Sequence, residues 1–359
     1  MILAKLLLKA FNQNQLLIIS TVNGNQTLTA SSLLAKLSKT SGVPLSTLKL
    51  NAKILRQSGL IVYGTPENPR SISLTGTGKM LFNILVPLKE HLQPELNDKN
   101  QVFKNAKTKV LRQGVSSGLG HLPSSLSASD LIASIFRVFS PNVVDSHNSF
   151  VLSKGHAAPA LYAMLAEDKT INDNELLSLG SLGSRLQSHP ERKFLPQSLV
   201  STGSLGQGLS IGVGIALGKK IKNEEGKVIV LVGDGELNEG QIWEAAMSGA
   251  HHRLDNLIVV VDRNLLQLNG STEDIKRLEP LEEKWSSFGW ETIITEGHNP
   301  EKLIRILEQL NAHQNKPMAI IAMTERSGGI KSIRGKKNLF HFIPTPEEFE
   351  RAVIDINGI

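Results

Sequence analysis

The sequence predicts an α/β fold with a parallel sheet covered by helices on both faces, preceded by a smaller domain of helices and a hairpin. The larger domain is predicted by two continuous apolar runs rich in β-branched residues, Val228 to Val232 and Leu257 to Val261, which are typical of strands buried on both faces. Good helix formers from Glu239 to Ala250 separate the runs, so the three segments form a βαβ unit. The smaller domain is indicated by the charge and turn pattern of residues 1–85.

Length and composition exclude several classes of protein. A chain of 359 residues is long enough for two or three domains with buried cores. No apolar run approaches the roughly 20 residues of a transmembrane helix, and the N-terminus lacks the layout of a signal peptide, so we expect a cytoplasmic protein. The absence of cysteine excludes disulfides, thiolate metal sites and a cysteine nucleophile.

Positive charge is concentrated at one end of the chain. The net charge is +6 overall, but residues 1–85 contain nine Lys or Arg and a single acid, Glu67, for a net charge of +8. The remaining residues have a net charge of −2. The basic character therefore belongs to the first domain.

Caps and turns predict the order of elements in this first domain. Thr29 and Ser46 are candidate N-caps of a second and a third helix, and the third helix is expected to end at Ser58-Gly59. The runs at 60–63 and 71–74, separated by the turn-rich segment GTPENPR, predict a hairpin.

Helix, helix-turn-helix and hairpin in this order resemble the winged-helix family of DNA-binding domains, with GLIVY and SLTGTGKML similar to its wing and closing helix. The resemblance implies a winged helix-turn-helix domain at 1–85 that binds DNA or docks a protein. Lys49, Lys53 and Arg56 share one face of the third helix, which is either a nucleic-acid contact or a solvated surface. Proline and polar residues at 86–100 predict a linker to a second domain at 101–359.

Polar residues end both strands of the βαβ unit. Gly233-Asp234-Gly235 follows the first strand, and Asp262-Arg263-Asn264 ends the second. Because parallel strands of such a unit finish at the same sheet edge, we expect Asp234 and Asn264 to be neighbours. Two oxygen ligands suit Mg²⁺, which completes its shell with phosphate oxygens and water, and the following helix would direct N–H groups at the same anion.

The segment GDGELNEGQIWEAA followed by LDNLIVVVDRN resembles the thiamine diphosphate signature and is similar to that of transketolase. Pyruvate-dehydrogenase-type enzymes usually end the motif with two consecutive Asn, whereas this chain has Arg263-Asn264. The similarity to the N-terminal half of transketolase runs from Gln101 to about Pro344 and includes VLSKGHAAPALYAMLAE and STGSLGQGLSIGVGIALGKK. The glycines of the latter segment match neither GxGxxG nor a P-loop, so they predict close helix packing.

The resemblance implies positions for the cofactor and the substrate. His121, His156 and His189 would line the channel to the thiazolium carbon, where they would hydrogen-bond sugar hydroxyls and move protons. The residues implied in cofactor binding are His156, Gly203, Leu205, Gly235, Asn264 and His341. The metal ligands are the side chains of Asp234 and Asn264 and the carbonyl of Leu266.

Two further features follow from the same resemblance. Glu239 would belong to a carboxylate network that couples two cofactor sites across a dimer; the alternative is an acid that complements the helix dipole. The sequence departs from the family where transketolases usually have TxKGxG and WHG, since it has TERSGG at 324–329 and His341 between two phenylalanines.

We therefore predict the diphosphate-binding subunit of a split transketolase, which transfers a two-carbon ketol unit between sugar phosphates with thiamine diphosphate and Mg²⁺. Its partner would be a separate chain with the pyrimidine-binding and C-terminal domains, assembled as a dimer of heterodimers. Two alternatives stay open: a DNA-binding regulator that senses thiamine diphosphate, and a transferase whose winged helix only docks the partner chain.

Overall fold

The computed structural model of the chain describes residues 13–23, 28–41, 44–65, 70–82, 100–118, 121–141, 147–310, 316–335 and 342–358. The chain divides into two compact units, residues 1–99 and residues 100–359. The predicted linker at 86–100 lies almost entirely outside the described residues.

In its described residues, the first unit has three helices followed by two short strands and a further helical segment, in the order that the sequence predicts. Their bounds are α1 Gln13–Asn23, α2 Ala30–Ser41, α3 Leu45–Gln57, β1 Ile61–Val62 and β2 Ser73–Leu74. The strands pair antiparallel, and Thr29 forms a further antiparallel bridge with Ser71. Residues 76–82 are helical.

The helix caps of this unit agree with the sequence in two places and differ in one. The Oγ1 of Thr29 accepts a hydrogen bond from the Ser32 N–H at 3.3 Å, which confirms it as the cap of α2. The end of α3 at Ser58-Gly59 is also confirmed, with Gly59 at a left-handed φ of 69°. The cap predicted at Ser46 is wrong, because α3 begins at Leu45 and Ser46 lies within its first turn. The N-cap is Pro44, which combines a helix-compatible φ of −55° with an extended ψ of 136°.

The second unit is built on a parallel sheet of five strands. These strands are β3 Ser149–Leu152, β4 Val228–Gly233, β5 Leu257–Arg263, β8 Glu291–Glu296 and β9 Met318–Met323, and a separate antiparallel pair, β6 Leu266–Gln267 and β7 Gly270–Ser271, follows β5. The strand order of the five-stranded sheet is β3-β4-β5-β9-β8. The predicted βαβ unit is confirmed, because β4 and β5 are parallel neighbours.

Helices cover both faces of this sheet, as predicted. The helices of the second unit are α4 Gln101–Ser117, α5 Leu122–Phe139, α6 Ala158–Glu167, α7 Gln207–Lys222, α8 Gly240–His251, α9 Thr272–Ile275, α10 Leu281–Ser287, α11 Pro300–Gln309 and α12 Pro346–Asn357. Successive residues of β4 point to opposite faces, so Ile229 and Leu231 pack in the cluster that contains α5 and α6, whereas Val230 and Val232 pack in the cluster that contains α7 and α8. Each buried Val, Leu or Ile side chain contributes about 1.5–3 kcal/mol relative to exposure, so the central strands form a firm base for the loops at their ends.

Glycines bring α7 close to the sheet. A Cβ atom at Gly212 would lie 2.4 Å from Cγ2 of Val230, and one at Gly208 would lie 2.4 Å from Cβ of Ser153. The close packing predicted from the glycine run is therefore confirmed at these two positions. At Gly214 and Gly218 a Cβ atom would meet no atom within 4 Å.

In the part of the chain that the structure describes, we find no helix with the length and apolar character that crossing a membrane requires.

Candidate active site

The carboxyl ends of four parallel strands meet at one edge of the sheet. The register places Gly233 beside Asp262 and Arg263 beside Met323, so the loops after β3, β4, β5 and β9 emerge together. A cavity of about 480 Å³ lies at this edge. It is lined by all but two of the predicted site residues: His121, His156, His189, Gly203, Leu205, Asp234, Gly235, Asn264 and Leu266.

The two remaining predicted residues are Glu239 and His341. Glu239 is the N-cap of α8 and therefore precedes its first turn. Its side chain is exposed and does not line the cavity. His341 lies outside the described residues.

The predicted metal ligands are three oxygens on neighbouring loops. Asp234 is only 1% exposed; its Oδ1 accepts a hydrogen bond from the Gly235 N–H at 2.8 Å and its Oδ2 accepts one from the Leu265 N–H at 2.6 Å. Burial raises the pKa of Asp234, and the nearby charge of Asp262 adds to the rise. The hydrogen bond that the Leu265 N–H donates also holds Leu265 itself at a left-handed φ of 66°, a conformation that is unfavourable for a residue other than glycine.

A guanidinium contacts two of these three oxygens. Arg326 donates from Nη2 to the Leu266 carbonyl at 2.7 Å and from Nε to Oδ1 of Asn264 at 3.4 Å. Burial lowers the pKa of Arg326 to about 10. The Asn264 and Leu266 oxygens thus already accept hydrogen bonds from a cation, and oxygen ligands fit a hard divalent ion. Such an ion would have to displace the Arg326 guanidinium in order to bind these two oxygens. Among the described residues no three His, Asp or Glu side chains group to hold a metal, so amide and carbonyl oxygens are needed.

A buried ion pair lies under the cavity. Lys154, after β3, donates from Nζ to Oδ2 of Asp262, and the two side chains are 1% and 0% exposed. Asp262 also accepts hydrogen bonds from Ser127 at 2.6 Å and from Thr324. Burial opposes ionisation of Asp262, but Lys154 holds the pKa of this carboxyl below its usual value. The pair and its hydrogen-bond partners link β5 to α5 and to the segments after β3 and β9, and Lys154 lines the cavity.

A second buried carboxylate, Glu236, connects the glycine-rich segment before α7 to β4. Its Oε1 accepts hydrogen bonds from the Gly206 N–H at 2.8 Å and from the Ser153 hydroxyl, and its Oε2 accepts one from the Gly233 N–H at 3.0 Å. Burial raises its pKa. Neither Glu236 nor Lys154 is among the residues predicted from the sequence; their positions inside the quoted family motifs are the signal that could have found them.

The three predicted histidines face one another across the cavity. The His121 ring lies 5.6 Å from the His156 ring and 6.4 Å from the His189 ring, measured between centroids. Burial, with the charge of Lys154 as the next contribution, lowers the pKa of His156 to about 2, and burial also lowers the pKa of His189. His156 is therefore neutral at physiological pH, with one donor and one acceptor nitrogen.

The low pKa of His156 predicts an effect on stability. In the unfolded chain His156 binds a proton below about pH 6.5, whereas in the folded chain it stays neutral down to about 2. The unfolded state therefore binds more protons in this window, and His156 costs the folded protein up to about 1.4 kcal/mol of unfolding free energy for each pH unit below 6.5. His156→Gln should flatten the fall of stability between roughly pH 7 and pH 5 in urea unfolding. The exposed His252→Gln is the control, and equal slopes in the two variants would contradict the assignment.

Comparison with known proteins identifies the family of the second unit. The family model for the transketolase thiamine diphosphate-binding domain matches residues 109–339, so the first unit lies outside the match. A protein named as one of the subunits of an apulose-4-phosphate transketolase, from Phocaeicola vulgatus, is 36% identical over 243 residues, covering 66% of this chain and 86% of that protein. The 6-deoxy-6-sulfo-D-fructose transketolase subunit SqwG from a Clostridium species is 38% identical over 246 residues, covering 67% of this chain and 89% of that protein.

Solved structures give the same fold. A transketolase from Leishmania mexicana superposes with a TM-score of 0.59 at 23% identity, and one from Campylobacter jejuni superposes with a TM-score of 0.57 at 26% identity. Each covers 72% of this chain, but the chain spans only 44% and 46% of those proteins. The family match covers more than half of the chain and includes the five-stranded parallel sheet and the residues that line the cavity. The chain therefore belongs to the transketolase family through its thiamine diphosphate-binding domain.

Proposed function

We propose that the chain is the diphosphate-binding subunit of a split transketolase and transfers a two-carbon ketol unit between sugar phosphates when a separate chain completes the site. The observation that carries this proposal is that the chain matches 86% and 89% of the length of two proteins that are themselves named as transketolase subunits. Ketol transfer by the mixed chains, and by neither chain alone, is the experimental test.

Different residues of the cavity fit Mg²⁺ and the diphosphate of thiamine diphosphate. Asp234, Asn264 and the Leu266 carbonyl would hold Mg²⁺, since all three are oxygen donors that line one cavity. Lys154, in the same wall, would face the diphosphate.

Histidines in the same cavity fit the substrate. Thiamine diphosphate supplies a nucleophilic carbon and an electron sink for C–C cleavage. The neutral imidazole of His156 and the rings of His121 and His189 would orient sugar hydroxyls and carry their protons.

Exposed apolar side chains on the segment after β5 support the need for a partner. Leu265 and Leu268 are 43% and 66% exposed; Leu268 lines the cavity, and Leu265 lies in sequence between Asn264 and Leu266, which also line it. Exposed apolar residues grouped beside a binding site are typical of a surface that another chain covers. We propose that the pyrimidine-binding chain covers it and that two such pairs assemble as a dimer of heterodimers.

The first unit supports a second candidate function, binding to DNA through a winged helix. Lys49, Lys53 and Arg56 are exposed on α3, as expected for a face that contacts phosphates. The same helix exposes Leu50 and Ile54, which would suit contact with a protein. Both the DNA-binding regulator and the docking module are therefore proposals that one experiment can separate.

Charge reversal on α3 separates these proposals. If the unit binds DNA, the triple variant Lys49→Glu, Lys53→Glu, Arg56→Glu should abolish a gel shift at low salt. The unchanged protein should lose affinity steeply as salt rises, because each neutralised phosphate contributes about 0.9 to the slope of log affinity against log salt. Ketol transfer should not change. No shift by the unchanged protein at low salt, together with weaker assembly of the triple variant in sizing experiments, would favour docking.

A further inference from the structure

The side chain of Arg263 is fully buried at the end of β5, yet its two terminal nitrogens make four polar contacts. Nη1 donates to Oδ2 of Asp234 at 3.3 Å and to Oγ1 of Thr272 at 2.6 Å. Nη2 donates to Glu273 at 2.7 Å and to Glu279 at 2.9 Å. One guanidinium thus joins the loop after β4 to the segment that follows β7.

The other two predicted metal ligands lie, in sequence, between Arg263 and its partners. Asn264 and Leu266 lie between Arg263 and its partners Thr272, Glu273 and Glu279, so residues 264–279 leave the sheet and return to the same side chain.

The two acids also fix the backbone on the return path. Glu273 accepts hydrogen bonds from the Leu278 and Glu279 N–H groups at 3.3 and 3.4 Å, and Glu279 accepts one from the Leu281 N–H at 2.9 Å. The guanidinium therefore binds side chains that themselves hold the segment in place.

Charge and shape both favour arginine at this position. Asp234 lies near a second buried carboxylate, Asp262, and Arg263 supplies a positive charge that offsets part of their repulsion. Its planar guanidinium can bind partners on both nitrogens at fixed angles. The ammonium of a lysine is a single point charge and could not reproduce the contacts with Asp234 and with Glu279 together.

We propose that Arg263 is a positioning residue for cofactor binding, which holds Asp234 and residues 264–279 in the relative position that brings the three metal ligands together. The proposal rests on the proposed function for the identity of the ligand. Arg263 would affect cofactor binding through Asp234, Asn264 and Leu266, because Arg263 itself does not line the cavity.

The alternative is that Arg263 contributes only to stability. Breaking a buried ion pair by removing one partner commonly destabilises a protein, so a lower melting temperature alone would not distinguish the two roles. A residue that only stabilises the fold leaves the metal affinity of the folded protein unchanged. A positioning residue changes that affinity, and its loss loosens the segment that it holds.

The experiment compares the full-length chain with Arg263→Lys and Arg263→Gln at a temperature where circular dichroism shows all three folded. Hydrogen exchange is measured on residues 264–279 without added ligand, and Mg²⁺ is titrated calorimetrically in the presence of thiamine diphosphate and of the chain that completes the site. Arg185→Gln is the control for loss of an arginine ion pair, because Arg185 binds both carboxylate oxygens of Glu175 and neither residue lines the cavity. Arg263→Lys keeps the charge, so it provides a folded variant even if Arg263→Gln does not fold.

We expect faster exchange across 264–279 and Mg²⁺ affinity lower by roughly 10–100-fold in Arg263→Gln, the range found for residues that orient metal ligands, with a smaller loss in Arg263→Lys and none in Arg185→Gln. Wild-type exchange and affinity in folded Arg263 variants would overturn the proposal. If the unchanged chain binds neither Mg²⁺ nor thiamine diphosphate even with the partner chain present, the proposed function fails, and the exchange rates alone decide whether Arg263 holds the segment.

Discussion

Replacing Asp234 with alanine should weaken Mg²⁺-dependent binding of thiamine diphosphate by roughly two orders of magnitude or more, which corresponds to about 2.7 kcal/mol of binding free energy. Asp234 is the only carboxylate among the three predicted metal ligands, so its loss removes the negative charge that favours a divalent ion. Calorimetry with both chains present, at saturating and at zero Mg²⁺, measures the effect.

Two further variants isolate the cause of that loss. Asp234→Asn keeps an oxygen donor and most of the side-chain volume, so binding should be intermediate. Asp173→Ala removes an exposed acid that pairs with Lys109 and does not line the cavity, so it should have no effect. Because Asp234 also accepts hydrogen bonds from the Gly235 and Leu265 N–H groups, melting curves must show that each variant is folded. Unchanged affinity in folded Asp234→Ala would refute the metal assignment.

The second large effect is expected from reconstitution. The purified chain should show no ketol transfer, and mixing with a chain that carries the pyrimidine-binding domain should produce it, since the resemblance to transketolase places on that domain the glutamate that activates the cofactor. Spectrophotometric assays of each chain and of the mixture measure the gain. Robust turnover by the chain alone would contradict the proposal of a split enzyme.

Histidine variants test the chemistry of the reconstituted enzyme. His121→Ala and His156→Ala should each lower kcat/KM by roughly 10²-fold or more, because these rings are expected to act on the substrate. Cofactor affinity should change little in His121→Ala, and in His156→Ala it should fall by less than kcat/KM, since His156 is also implied in cofactor binding. The exposed His252→Ala is the control. A loss of cofactor affinity that accounts for the whole decrease in activity would instead assign the histidines to cofactor binding.

Buried apolar runs and chain order were enough to predict the central strands and the sheet edge that Asp234 and Asn264 share, because parallel strands of a βαβ unit end together. The contacts of Arg263, the Lys154–Asp262 pair and the hydrogen bonds of Glu236 were not predicted. Lys154 and Asp262, for example, are brought together only by the pairing of β3, β4 and β5. Local periodicity contains no information on which buried charges pair across such distances in the chain.

The two outer strands of the described sheet bear on how the subunit behaves before it meets a partner. β8, at one edge, begins and ends with glutamate, at Glu291 and Glu296, and β3, at the other, is only four residues long. Short strands and charged side chains make poor templates for pairing with a strand of another molecule. We therefore expect that excess subunit, produced faster than the chain that completes it, resists edge-to-edge aggregation.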